Sequence, residues 1–195
     1  MNVKNCKEDL IKITTDLIKE NNGDVDKVTI RDIASRSGVS VGLINYHFGD
    51  KDKLIAECVQ RIISNIVNSF KPTMDVDESL NKFDKGKMRL IKTAQRVFGF
   101  FFEQPSISRV SILDDYRNYS NESSSYFSLR GFSAVIGDAI EDQEEKERIS
   151  FLLTTSMQVA FLRSLTDSRF LDFDLSKVED RNKYIEYLVN KLMKE

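Results

Sequence analysis

The sequence predicts an all-α fold, and three observations carry that expectation. Eight glycines and two prolines in 195 residues are too few for a protein built on many tight turns. Apolar residues recur at intervals of three and four, the helical period. Capping residues and helix-ending glycines punctuate that pattern in the first third of the chain. Hydrophobic residues make up 41% and charged residues 31%, the composition of a folded globular protein.

The first helix follows from Leu10, Ile13, Leu17 and Ile18 and stops at the turn signal Asn21-Asn22-Gly23. Thr29 is placed to cap a second helix, with Asp32 reaching back and Val28 and Ile33 at the two positions of a hydrophobic staple. That helix turns Ile30, Ile33, Ala34 and Ser37 to one side and ends at Gly38, which tolerates the left-handed conformation of a helix terminus. After the turn Gly38-Val39-Ser40, Ser40 caps a third helix over 41–47. Phe48-Gly49-Asp50 separates it from a fourth over 51–70, carried by Leu54, Ile55, Cys58, Ile62, Ile66 and Phe70 and closed by Lys71-Pro72. A polar link over 72–78 leads to five further helices at 79–103, 106–119, 125–140, 144–167 and 177–194, with a serine-rich loop at 120–125.

Several function classes are excluded by what the chain lacks. Its longest charge-free apolar stretch, 149–162, is interrupted by Ser150, Thr154, Thr155, Ser156 and Gln158 and falls short of the ~18 residues of a membrane span. Lys4, Lys7, Glu8 and Asp9 interrupt the first residues, so no secretory apolar region is present and a cytoplasmic location is expected. Cys6 and Cys58 suit a reducing compartment, and with His47 the single histidine there is no material for a metal site or for histidine-based catalysis. No glycine-rich phosphate loop or nucleophile and base pair occurs in the C-terminal half, so an enzyme is not expected, nor any cofactor. Net charge is −2, and residues 1–70 carry 10 basic against 10 acidic side chains, so any nucleic-acid contact has to come from a local face.

A helix, a three-residue turn with a glycine and a second short helix make a helix-turn-helix unit, whose second helix enters the DNA major groove. At about 100° per residue, Ile44 and Phe48 share one side of that helix and pack inward. Gly42, Leu43, Asn45 and Tyr46 occupy the rest, with Val41 at the tip. Asparagine pairs two hydrogen bonds with adenine, the methyls of Val41 and Leu43 suit thymine, and Gly42 lets the backbone come close. Thr29, Ser40, Tyr46, His47 and Lys51 supply donors for phosphate near helix ends.

The stretch from Thr29-Ile30-Arg31-Asp32-Ile33-Ala34 through Gly38-Val39-Ser40 and Tyr46-His47-Phe48 to Lys51-Asp52-Lys53-Leu54 resembles the DNA-binding signature of TetR-family transcriptional regulators. One departure is Asn45, which stands where the family often has tyrosine before the aromatic residue. The resemblance implies a three-helix DNA-binding head over 1–50, a connecting helix over 51–71 and a helical ligand-binding and dimerisation domain over 72–195. It also implies a homodimer that binds a palindromic double-stranded operator, a repressor released by a small-molecule effector. On this reading Thr29, Arg31, Ser40, Val41, Gly42, Leu43, Asn45, Tyr46, His47 and Lys51 contact DNA.

Eleven of the 13 phenylalanines follow Phe70, with Phe98, Phe100, Phe101 and Phe102 clustered. Most are expected in the core. The effector cavity implied by the resemblance is assigned to Phe98 and Phe102 with Gln95, Arg109, Tyr116 and Gln158 as polar groups. The last two helices carry more apolar surface than one-sided packing uses, and the resemblance places a four-helix dimer interface there, assigned to Leu153, Met157, Phe161, Ile185, Leu188 and Leu192.

Overall fold

The computed structural model describes residues 3–69, 79–121 and 123–194, and within these the side chains from Cys6 onward except 64–78. The elements, in order, are α1 (Val3–Glu20), a 3-10 turn (Val25–Lys27), α2 (Ile30–Ser37), α3 (Val41–Phe48), α4 (Lys51–Ser69), α5 (Lys82–Glu103) and α6 (Pro105–Asn118). They continue with α7 (Ser124–Ile136), a second 3-10 turn (Gly137–Ala139), α8 (Gln143–Ser164), β1 (Arg169–Phe170), β2 (Phe173–Asp174) and α9 (Val178–Leu192). The all-α expectation holds, with one two-residue hairpin added. Ile66, Phe70, the Lys71-Pro72 stop and the link over 72–78 lie outside the residues whose side chains are described.

Two compact units are formed, Met1–Lys71 with Gln104–Asn118 and Pro72–Glu103 with Tyr119–Glu195. In the first, here called the head, α1 buries Leu10, Ile11, Leu17 and Ile18. The helix is stopped by Asn22 and Gly23, both left-handed at φ 54° and 80°, as the Gly23 N–H bonds the Ile18 carbonyl at 2.9 Å. The positive φ of Gly23 is what favours glycine at this position; a Cβ there would also come within 2.6 Å of Gln104 Oε1, the mobile end of a side chain that would have to turn aside. Ile33, Ile44, Phe48, Leu54, Cys58 and Val59 complete the core.

Ile107 of α6 belongs to that same core, with Val110 packed against it and Arg109 ion-paired to Asp26 at 2.5 Å. The head therefore contains a helix from beyond residue 72, where the sequence predicts a separate domain. A long-range apolar contact decides membership here, and amphipathic spacing alone does not say which core a helix faces.

In the larger unit α5 packs against α7 and α9, and α7 against α8. Gly86 makes the closest approach: a Cβ there would lie 2.3 Å from Ala139 Cβ and 2.6 Å from the Ile136 carbonyl oxygen. Phe98 is fully buried, its ring 5.1 Å from Phe102 and 5.7 Å from Tyr184. The hairpin pairs Phe170 with Phe173 and holds both rings against Tyr184, at 5.7 and 5.5 Å. The helix expected over 125–140 instead breaks at Gly137, φ 58°, into a 3-10 turn, and the one expected to run to 167 ends at Ser164.

Candidate nucleic-acid interface

The support for the short α3 is local and legible. Thr29 Oγ1 accepts from the Asp32 N–H and Asp32 Oδ2 accepts from the Thr29 N–H, both at 3.2 Å, closing a reciprocal capping box at the start of α2. The Thr29 hydroxyl also donates to Asp32 Oδ2, and this bond holds the Asp32 carboxyl below its ordinary value. Val28 and Ile33, the two staple positions, are both buried. Gly38 ends α2 at φ 68°, and Ser40 Oγ accepts from the Leu43 N–H at 3.2 Å to begin α3. Gly49, φ 85°, ends it, after which Asp50 Oδ1 accepts from the Lys53 N–H at 2.8 Å at the start of α4.

Ile44 and Phe48 anchor α3 to the head, 0% and 8% exposed. Burying such a side chain is worth about 1.5–3 kcal/mol, so a helix of only eight residues is held by its inner side and its caps. Its other side is open: Val41, Gly42, Leu43 and Asn45 are exposed, and Tyr46 is the most outward of them at 80%. His47 is half-buried between two rings, 5.3 Å from Tyr46 and 6.3 Å from Phe48.

Lys51 is fixed as well as charged. Its Nζ donates to the Val28 carbonyl at 3.3 Å, which sets an ammonium beside the N-terminus of α2 where Thr29 caps the helix. Both the free amides of that terminus and the ammonium favour an anion. Several other head cations are taken up by carboxylates: Arg36 by Glu20, Lys27 by Asp24, Lys53 by Asp50, Arg61 by Glu8 and Glu57. Among the described residues, Arg31, exposed in the first turn of α2, and Lys51 make no ion pair, as is also true of Lys12 and Lys19 on α1. The structure thus gathers Thr29, Arg31, Ser40, Lys51 and the exposed α3 edge in one unit.

The residues assigned to an effector are not gathered. Arg109 and Tyr116 lie on α6 in the head unit, and Arg109 is committed to Asp26; Gln95, Phe98, Phe102 and Gln158 lie in the larger unit. Gln95 Nε2 donates to the Asn182 carbonyl and to Glu186 Oε1, at 3.3 and 3.1 Å, tying α5 to α9. Phe98 and Phe102 pack on each other and on Tyr184 and Phe161.

The interface assignment needs correction. Leu153, Met157, Phe161 and Ile185 are 0–1% exposed, consumed by packing inside their own chain, so no partner can touch them. Leu188 and Leu192 are half-buried. The exposed apolar residues of α8 are Phe151, Leu152 and Val159. They fall within about 100° of arc, on the side opposite the buried set. The sequence carries that signal too, because α8 is apolar on two sides, but spacing does not tell which side is inner.

Residues 21–58 match the family model of bacterial regulatory proteins, tetR family. No curated protein matches the sequence. Among solved structures, a TetR transcriptional regulator from Rhodococcus sp. RHA1 is 15% identical, with 98% of each chain covered and a TM-score of 0.58. A second transcriptional regulator from Rhodococcus sp. RHA1 is 16% identical over 95% of each chain, TM-score 0.58. A tetR-family transcriptional regulator from Streptomyces coelicolor is 18% identical over 98% of this chain and 80% of its own, TM-score 0.53.

Proposed function

We propose that this chain is a transcriptional regulator of the TetR family, whose model matches residues 21–58, that it binds a palindromic operator as a homodimer, and that it acts as a repressor released by a small molecule. The observation that carries the DNA-binding part is α3: an eight-residue helix held by Ile44 and Phe48 with its whole outer edge free. Asn45 reads a base edge, Val41 and Leu43 touch thymine methyls, and Tyr46, Ser40, Thr29, His47, Arg31 and Lys51 hold phosphates. The work is binding, carried out in the cytoplasm. No described helix is long and apolar enough to cross a membrane, and no described cluster of three His, Cys, Asp or Glu side chains could hold a metal.

On this proposal the second copy packs on the outer stripe of α8, a reading supported by the exposure of Phe151, Leu152 and Val159. Two recognition helices then need a separation near ~34 Å to enter successive major grooves. An effector that prefers another spacing lowers DNA affinity, and moving the population from mostly bound to mostly free takes ~5.5 kcal/mol of differential binding. Chain connectivity gives the effector a route to the head, because Gln104 follows directly on α5 and opens the segment that packs with Ile107 on the head core.

Fluorescence titration against duplexes from upstream of its own gene tests the reading. Tighter binding to one such site than to random duplex is expected, and equal binding to all duplexes refutes it. Sedimentation of Phe151→Glu tests the second copy: a dimer for the parent chain and a monomer for the variant are expected, and a dimer for both moves the interface elsewhere.

A further inference from the structure

The buried polar side chains of the larger unit are all uncharged: Ser123, Ser150, Thr154 and Gln158. Two have their bonds within the fold. Ser150 Oγ donates to the Lys146 carbonyl at 2.7 Å, and Ser123 Oγ accepts from the Ser120 N–H at 2.9 Å. Thr154 Oγ1 is buried with no partner, and the Gln158 carboxamide, 6% exposed, has none among the described residues. Protein interiors meet such groups with a partner, so the unmet Thr154 hydroxyl, with the Gln158 carboxamide beside it, asks what completes it.

Thr154 and Gln158 are one turn apart on α8 and therefore share a side of the helix. Phe161 continues the same stripe, its ring 5.4 Å from Phe101 and 5.3 Å from Phe102. Unmet hydroxyls also occur at Thr14 and Ser108 in the head, where Gln104 stands one turn before Ser108, but Thr154 is the one described in the larger unit. The stripe on α8 is thus polar at one end and aromatic at the other.

We propose that Thr154 and Gln158 form the hydrogen-bonding pole of an effector site whose ligand is an uncharged, largely apolar or aromatic molecule carrying one amide or hydroxyl group. This rests on the reading of the chain as effector-responsive. The hydroxyl and the carboxamide offer both donors and acceptors, so they match a neutral polar group of either kind. A carboxylate or ammonium brought to the same place would leave water without a counter-charge, since no described charged side chain of this unit is buried. Arg181 touches the aromatic end, its guanidinium 4.5 Å from the Phe102 ring centre. Its Nη1 is occupied by the Leu175 and Ser176 carbonyls, at 2.9 and 3.1 Å.

Thermal unfolding of the full chain with benzamide and benzyl alcohol, and with benzoate and benzylamine as charged counterparts, tests this. Thr154→Val, Thr154→Ser and Gln158→Met are measured beside the parent. At roughly ten times its dissociation constant a neutral probe is expected to raise Tm by about 3 °C or more, while the charged probes raise it less. Thr154→Val should keep or exceed the parent Tm without probe and abolish the shift, as should Gln158→Met; Thr154→Ser should retain it. A larger shift from benzoate or benzylamine, no shift from any probe, or equal shifts in all variants overturns the proposal. A drop in Tm of Thr154→Val without probe, restored by Thr154→Ser, also overturns it, because the hydroxyl then serves the fold. Absence of operator binding would refute the regulator reading and leave the probe data standing, whereas failed probe binding with operator binding intact refutes this inference alone.

Discussion

α3 and α8 use their side chains in opposite ways. α3 buries two of its eight residues and exposes five, whereas α8 buries eight of 22 and keeps a narrow apolar stripe on its outer side. The first is a short element held in place by its neighbours and caps so that its edge stays available. The second packs most of its apolar side chains into the core of the larger unit. DNA contact and core stability should therefore respond to different residues, and mutations can be chosen to make or break that separation.

The largest effect is expected in the aromatic core. Phe98→Ala removes a fully buried ring that meets Phe101, Phe102 and Tyr184, and should cost about 3–5 kcal/mol in denaturant unfolding. Tyr46→Ala, on the exposed edge of α3, should stay within about 0.5 kcal/mol of the parent and yet weaken operator binding. A destabilised Tyr46 variant would erase the contrast. Next comes Gly86→Ala, where the added methyl meets Ala139 and the Ile136 carbonyl; overpacking of this kind costs about 1–3 kcal/mol by the same measurement, with operator affinity unchanged.

Removing the α3 cap in Ser40→Ala should cost about 1 kcal/mol and weaken binding to every duplex alike. Within the interface the roles divide again. Lys51→Ala and Arg31→Ala should each flatten the dependence of log affinity on log salt by about 0.9 for every phosphate no longer neutralised, whereas Asn45→Ala should relax preference at one base position.

The smallest effect concerns acid. The Ser176 hydroxyl and N–H bonds to Asp174 hold its carboxyl down at about 2. The group stabilises the fold above its unfolded value of 3.8, and that contribution fades as pH falls toward about 2. Asp174→Asn should therefore give a flatter stability profile across that window, followed by circular dichroism, and an unchanged profile would remove Asp174 from the acid response.

Legibility in the sequence follows the range of the forces involved. The Thr29 and Ser40 caps, the Gly38 stop and the inward Ile44 and Phe48 depend on neighbours within a turn or two, and each is readable from spacing and residue type. The ion pair of Arg109 with Asp26 joins residues 83 apart, and nothing local marks it. The hairpin at 169–174 escapes because strands of two residues are too short for a period, and Leu171 takes φ 55° without a glycine to announce it. Leu153, Met157, Phe161 and Ile185 are legible as apolar faces but not as inward ones, since periodicity gives a face its width and not its neighbour.

Because α6 is part of the head, a fragment cut off after α4 would lack Ile107 and open a void in the core it left. The excised piece would be looser than the same residues in the intact chain. Grafting this head onto a foreign receptor module would require carrying over both separated stretches of sequence, 1–71 and 104–118, as a single transplant.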